Sequence, residues 1–319
     1  PGNRVLLRGG NSIGMALAWL GVVKAGLIAV ATMPLLRAVE LDKIIDKSRP
    51  ALAICDVDLL KEMVPAAQDA KALLPILVFG DAARPDGMEA RAARRSADWA
   101  GCATAADDVA LLAFTSGTTG VPKAVITTHR DVLAACNAWP RSVLKATPDD
   151  VVTGSPPLAF TFGLGGLLLF PMAAGASVYY PDVRFSPETM VRKMRDNGIT
   201  ICYTAPTFYR QMAPYAKALG IPSLRICVSA GEALPDATRQ LWKESTGIEM
   251  LDGIGGTEVF HIYISAAGAD VRPGSIGKVV PGYQAKVVDE NDNEVPRGTV
   301  GRLAMIGPTG CRYMDDARQ

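Results

Sequence analysis

Paired cysteines are missing from this sequence. Its six cysteines, at positions 55, 102, 136, 202, 227 and 311, never fall closer than 25 residues apart, and no CxxC occurs. That spacing argues against a disulfide framework or a zinc module. Cys55, Cys202 and Cys227 sit inside apolar runs and read as reduced core residues. A surplus of one charge is missing too. With 33 basic and 32 acidic side chains, the formal net charge is +1. Nothing in that balance points to nucleic acid or an anionic membrane as a partner. An unbroken apolar run is the third absence. Residues 151–181 carry no charge, yet Pro156, Pro157, Pro171, Gly163, Gly165, Gly166 and Gly175 interrupt them. A spanning helix needs about 20 consecutive apolar residues, so this stretch reads as a strand end, a loop and a short buried helix. The opening Pro1-Gly2-Asn3-Arg4 carries no secretory leader, and a cytoplasmic setting is expected. The start without methionine and the polar stretch at 315–319 read as the ends of a fragment.

What is present is alternation. Hydrophobic residues make up 49% of the chain, enough for an ordinary globular core. Strands are expected at 4–7, 28–31 and 51–55, with helices at 12–24 and 40–47. Residues 81–107, rich in Ala, Arg and Asp, read as a solvated helix or loop. Strands are expected again at 109–114, 124–128, 177–180, 200–203, 225–229 and 249–251, with helices at 187–197 and 206–217. Strands alternating with helices imply mostly parallel sheets covered on both faces. The fold class is therefore α/β, with residues 1–272 as two αβα subdomains. Beyond about residue 273 the turn signals Pro273-Gly274, Pro281-Gly282 and Asn291-Asp292-Asn293 mark a β-rich subdomain over 273–319. No internal repeat is evident.

One connection is unusual. Between the apolar runs 109–114 and 124–128 lie Thr115, Ser116, Gly117, Thr118, Thr119, Gly120, Val121, Pro122 and Lys123. Glycines let backbone N–H groups approach a polyphosphate, hydroxyls add donors, and the lysine adds compact charge. It is not the P-loop of NTPases, because Ala124 stands where a magnesium-binding Ser or Thr would be needed. A surface loop is the usual meaning of such composition, but the length of the string favours a phosphate site.

This string resembles the phosphate-loop signature of the adenylate-forming enzymes: acyl-CoA synthetases, non-ribosomal adenylation domains and luciferases. Asp252-Gly253-Ile254-Gly255-Gly256-Thr257-Glu258 resembles a second signature of that family, and Ser229-Ala230-Gly231-Glu232-Ala233-Leu234-Pro235 a third. All three stand in family order, and the likeness covers essentially the whole chain. It implies that Thr115, Ser116, Gly117, Thr118, Thr119, Gly120 and Lys123 hold the ATP phosphates. Thr257 would contact the α-phosphate and Glu258 would bind Mg2+, and Thr257, Glu258 and Lys123 would be the catalytic set. Adenine would lie against Ala230, Gly231, Glu232, Asp252 and Gly253. The ribose-binding aspartate, the hinge and a small C-terminal lid are expected beyond residue 319. Alone, these residues are thus expected to bind ligands with little or no ligase turnover.

Within the family, the run from Asp252 to Ile262 and the stretch Pro157-Leu158-Ala159-Phe160-Thr161-Phe162-Gly163 are similar to the benzoate- and 2-aminobenzoate-CoA ligases. That likeness implies an aryl pocket walled by Phe160, Thr161, Phe162, Gly163, Ile254, Gly255, His261 and Ile262. ATP, Mg2+ and coenzyme A would be the cofactor and co-substrates. The partners implied are small molecules, and a homodimer is allowed. Other acid ligases of the family, acting on fatty or cinnamic acids, are the alternative. A rival of another class begins at Gly10-Asn11-Ser12-Ile13-Gly14, which matches the nucleophile elbow of serine esterases, with His129 or His261 as base. The same serine also reads as the cap of a helix whose apolar face includes Met15, Leu17, Trp19, Leu20 and Val23.

Overall fold

The computed structural model describes residues 1–70, 73–115, 122–182 and 185–315. Six strands build a first sheet: β1 (Arg4–Arg8), β2 (Ile28–Thr32), β3 (Leu52–Asp56), β4 (Ile76–Phe79), β5 (Val109–Thr115) and β6 (Lys123–Thr128). Their order is β4-β3-β1-β2-β5-β6, parallel except for the β5–β6 pair. Val5, Leu6 and Leu7 are all buried, as expected of a parallel strand covered on both faces. The first helix, Ile13–Lys24, starts where Ser12 Oγ accepts the Met15 amide at 3.1 Å. Met15, Ala16, Ala18, Trp19 and Val22 form its buried face. Leu17, expected on that face, is 59% exposed, because the buried stripe follows the i, i+3, i+4, i+7 spacing from Met15 and skips it.

Seven strands build the second sheet: β7 (Val151–Gly154), β8 (Ser177–Val178), β9 (Ile201–Thr204), β10 (Ile226–Ser229), β11 (Leu251–Gly255), β12 (Ile262–Ala266) and β13 (Lys278–Val279). The order is β13-β12-β11-β10-β9-β7-β8, with β11–β12 and β12–β13 antiparallel and the remaining pairs parallel. A separate hairpin joins β14 (Gln284–Val288) to β15 (Arg302–Ile306). One core cluster spans both large sheets, joining Leu7 and Ala113 of the first to Val152, Tyr203 and Val228 of the second. Among the described residues no helix is long and apolar enough to cross a membrane.

The uncharged stretch resolves into β7, a turn and a helical run made of Thr161–Leu164, Gly165–Leu169 and Phe170–Ala174, the middle part π-wound. Two of its glycines are there for room. A Cβ on Gly165 would sit 2.7 Å from the His261 ring, and one on Gly166 2.7 Å from the Tyr203 ring. The turn before this run is held from the first sheet. Asn11 donates to the Pro156 carbonyl and accepts from the Leu158 amide, both at 2.8 Å. A strand expected at 249–251 instead runs Leu251–Gly255, carrying Asp252, Gly253, Ile254 and Gly255 in the sheet. Gly253 and Gly255 belong there because Ile262 and the backbone of His261 pack where their Cβ atoms would be.

Candidate active site

The two halves of the sequence signature meet at the carboxyl ends of the sheets. Thr115 pairs directly with Lys123 across the β5–β6 hairpin, so the connection between them opens at the end of β5. Ser116, Gly117, Thr118, Thr119 and Gly120 lie outside the described residues. Thr257 and Glu258 stand on a 3-10 turn, Thr257–Val259, that follows β11. One side chain contacts both Lys123 and Glu258. The Tyr313 hydroxyl donates to Glu258 Oε1 at 2.7 Å, and Lys123 Nζ lies 4.8 Å from the centre of the same ring. The lysine and the glutamate thus both contact Tyr313. Immediately after the turn, Phe260 is held at φ +72° with its ring buried. A left-handed bulky residue is uncommon and persists only where its surroundings hold it.

Two cavities lie beside this turn. The first, about 500 Å3, is lined by Gly231, Glu232, Asp252, Gly253 and Ile254, with Arg239 at its edge. The second, about 250 Å3, is lined by Phe160, Thr161, Phe162, Thr257, His261 and Ile262. Gly231 and Gly255 line both, so the two cavities adjoin there. Most residues expected at the aryl pocket are therefore gathered in the second cavity. Three of the expected residues lie elsewhere. Ile254 lines the first cavity together with Asp252 and Gly253, and is not among the residues lining the second. Gly163 lines neither cavity, since it packs against the Pro156 and Pro157 carbonyls with no space for a Cβ. Ala230, expected against adenine, instead lines the second cavity.

The chemistry of the two walls differs. His261 is 5% exposed and ringed by Trp139, Phe162 and Phe170, with ring centres 5.3, 5.5 and 4.6 Å away. Desolvation pushes its pKa down to about 3, against a weak opposing contact from Nε2 to the Phe162 carbonyl at 3.4 Å. It is a neutral imidazole at physiological pH, and its Nδ1 has no hydrogen-bond partner among the described residues. On the other wall, burial raises the Asp252 carboxyl, opposed by the Gly253 amide and the Arg239 guanidinium. Arg239 is itself anchored to Glu249 at 2.9 Å and reaches Asp252 at 3.6 Å. Glu232 accepts from the Thr207 hydroxyl at 2.8 Å.

Sequence reasoning missed Tyr313, Trp139 and the Asn11 clamp. Tyr313 is a lone aromatic in a polar stretch, and only the folded chain shows that residues 312–314 add to the free edge of β6. Ser12, the candidate nucleophile of the rival reading, is used as a helix cap.

A mostly parallel two-sheet scaffold with a donor-rich hairpin, a carboxylate turn and paired cavities at its strand ends defines a ligand-binding α/β enzyme class. The model of the AMP-binding enzyme family matches residues 1–312, and the chain belongs to that family. Among relatives, a benzoate–CoA ligase of Thauera aromatica is 33% identical over 98% of this chain. An anthranilate–CoA ligase of Pseudomonas aeruginosa is 29% identical over 97%. The chain spans 59% of the length of each. Among solved structures, the anthranilate CoA ligase AuaEII in complex with anthranoyl-AMP superposes with a TM-score of 0.91 at 34% identity, covering 99% of this chain and 62% of that one. A benzoate CoA ligase from Burkholderia xenovorans gives 0.89 at 28% identity, covering 100% of this chain and 64% of that one.

Proposed function

We propose that this chain is the nucleotide- and acid-binding part of an aryl-CoA ligase. The enzyme would adenylate an aromatic carboxylate with ATP and then pass the acyl group to coenzyme A. One observation carries the reading: a polar cavity and an aromatic cavity share the lining residues Gly231 and Gly255 beside the turn of Glu258, and Glu258 and Lys123 both contact Tyr313. In that arrangement adenine occupies the cavity of Asp252 and Gly253, and the aryl ring the cavity of Phe162 and His261. The acid's oxygen attacks the α-phosphorus, the bond to the bridging oxygen breaks, and pyrophosphate leaves with the electron pair. Two anions must meet for this, so Thr257, Lys123 and the hydroxyls of Thr115, Ser116, Thr118 and Thr119 would hold the phosphates. Coenzyme A would then displace AMP. Both co-substrates suit a cytoplasmic setting.

The residues present fit Mg2+. Among the described residues no group of three His, Cys, Asp or Glu could cage a metal alone. Magnesium bound with nucleotide needs only one or two carboxylates, the rest of its shell being phosphate and water. Glu258 would be that carboxylate. When bound, the ion neutralises phosphate charge and templates the leaving group.

The aromatic substrate class is supported by the names of the relatives and by the ring-lined second cavity. The deciding experiment is pyrophosphate exchange with the intact ligase across benzoate, aminobenzoates, hydroxybenzoates, a cinnamate and a fatty acid. Exchange restricted to benzoates supports the reading, and a preference for the fatty acid or cinnamate overturns it. In the same assay His261→Ala raises the KM for the aryl acid roughly tenfold, the scale of one lost pocket contact. The KM for ATP stays within about twofold. Equal losses would assign the histidine a purely structural role.

A further inference from the structure

The contact between Tyr313 and Glu258 is absorbed by none of the roles above. Residues 309–314 run as a strap between the turn of Glu258 and β6. Thr309 donates to the Val259 carbonyl at 3.0 Å, on the same turn that carries Glu258. The Gly310 amide donates to Asp131 at 3.2 Å. The Ile126 amide then donates to the Arg312 carbonyl, and the Met314 amide to the Ala124 carbonyl, each at 2.8 Å. Tyr313 lies opposite Val125 in this short antiparallel pairing. The strap thus joins the strand that begins with Lys123 to the turn that ends β11, and Tyr313 projects from its middle between the two.

We propose that Tyr313 is a positioning residue of the nucleotide site, fixing Glu258 through its hydroxyl and supporting Lys123 with its ring. The inference rests on the nucleotide reading above. A half-buried glutamate side chain still has several rotamers. One phenol hydrogen bond at 2.7 Å to Oε1 selects among them and leaves Oε2 beside Gly256. A phenol holds its proton at neutral pH, so the hydroxyl is the donor and the carboxylate the acceptor. Hydrogen bonds to an ionised acceptor are the stronger and shorter kind. A ligand that meets a pre-set carboxylate does not have to order it on binding. Beneath Lys123 the ring face attracts the ammonium and limits where it rests. Neither contact reaches adenine, so the two ends of a nucleotide are affected differently.

That difference is the test. Calorimetric titration of the 319-residue chain with AMP in chelator, and with ATP in excess Mg2+, separates the two ends. Tyr313→Phe keeps the ring and the strand pairing but removes the hydroxyl. It weakens ATP–Mg2+ roughly tenfold, the scale of one hydrogen bond to a charged group. AMP affinity stays within about twofold, because AMP carries neither of the outer phosphates. Electron paramagnetic resonance with Mn2+ as probe shows the same loss in the fraction of metal bound with ATP. In a Glu258→Gln background the Tyr313→Phe change adds nothing, as required of a residue acting through Glu258. An unchanged ATP–Mg2+ affinity in Tyr313→Phe overturns the positioning role alone. So does an equal loss for AMP. A wild-type chain that binds neither nucleotide overturns the nucleotide reading, and this inference with it.

Discussion

Between pH 6.5 and pH 4 the wild-type chain loses about 3 kcal/mol of stability that a His261→Leu variant keeps. The sign follows from burial. In the folded chain desolvation lowers the His261 pKa to about 3, while the unfolded imidazole titrates near its ordinary 6.5. Above 6.5 both states carry a neutral ring and pH is without effect. Below it the unfolded state takes a proton that the folded state refuses, so stability falls until about pH 3, where the folded ring is charged as well. Other groups titrate in this window, which is why the difference between the two chains is the quantity to measure. Urea titrations at half-unit steps of pH give it. Parallel curves for the two chains would mean that His261 is hydrated in the native state and that the cavity floor is not dry. The same burial says what the histidine presents to the second cavity. A neutral imidazole among Trp139, Phe162 and Phe170 supplies one hydrogen-bonding edge and an apolar face, not a cation.

The alternation of elements was legible from hydrophobic period alone. Runs such as 109–114 and 124–128 are apolar and β-branched, and they fold as β5 and β6. Much of the lining of the second cavity could be picked out together because it falls within two short segments, 160–162 and 255–262, while Pro156, Ala230 and Gly231 join it from elsewhere. Which cavity a residue lines was not legible. Ala230 and Gly231 are neighbours just past β10, yet Ala230 lines only the second cavity and Gly231 lines both, a placement that depends on how the strand ends come together. Tyr313 was invisible for a related reason. Its neighbours carry no periodic pattern, and its partners Lys123 and Glu258 are brought to it only by two different sheets. Contacts across sheets leave no local mark on the sequence.

Gly255→Ala is expected to damage both cavities at once, and it tests whether they share a wall. Nothing in the φ of Gly255 forbids alanine, but a Cβ there would lie 2.5 Å from the His261 carbonyl oxygen and 2.9 Å from Ile262 Cα. Both atoms are backbone of the adjoining strand, so neither can swing aside. The pairing is already irregular at this point, with a register shift between Ile254 and Gly255 and a long 3.4 Å bond from the Gly256 amide to His261. Adding a methyl forces β11 and β12 apart, at a cost of about 1–3 kcal/mol for overpacking. AMP and aryl-acid affinities both fall by roughly tenfold or more, since a shift of about 1 Å at a positioning element is enough for that. Gly256→Ala is the contrast. Its Cβ would meet only the tip of Glu258, at 3.0 Å, a flexible side chain. That variant keeps its stability and AMP affinity but binds ATP–Mg2+ more weakly. Calorimetry on both variants, with urea titration for stability, decides between them. If Gly255→Ala kept either affinity at the wild-type value, the cavity concerned would not depend on this backbone crossing, and adenylate and ring would be held by separate walls.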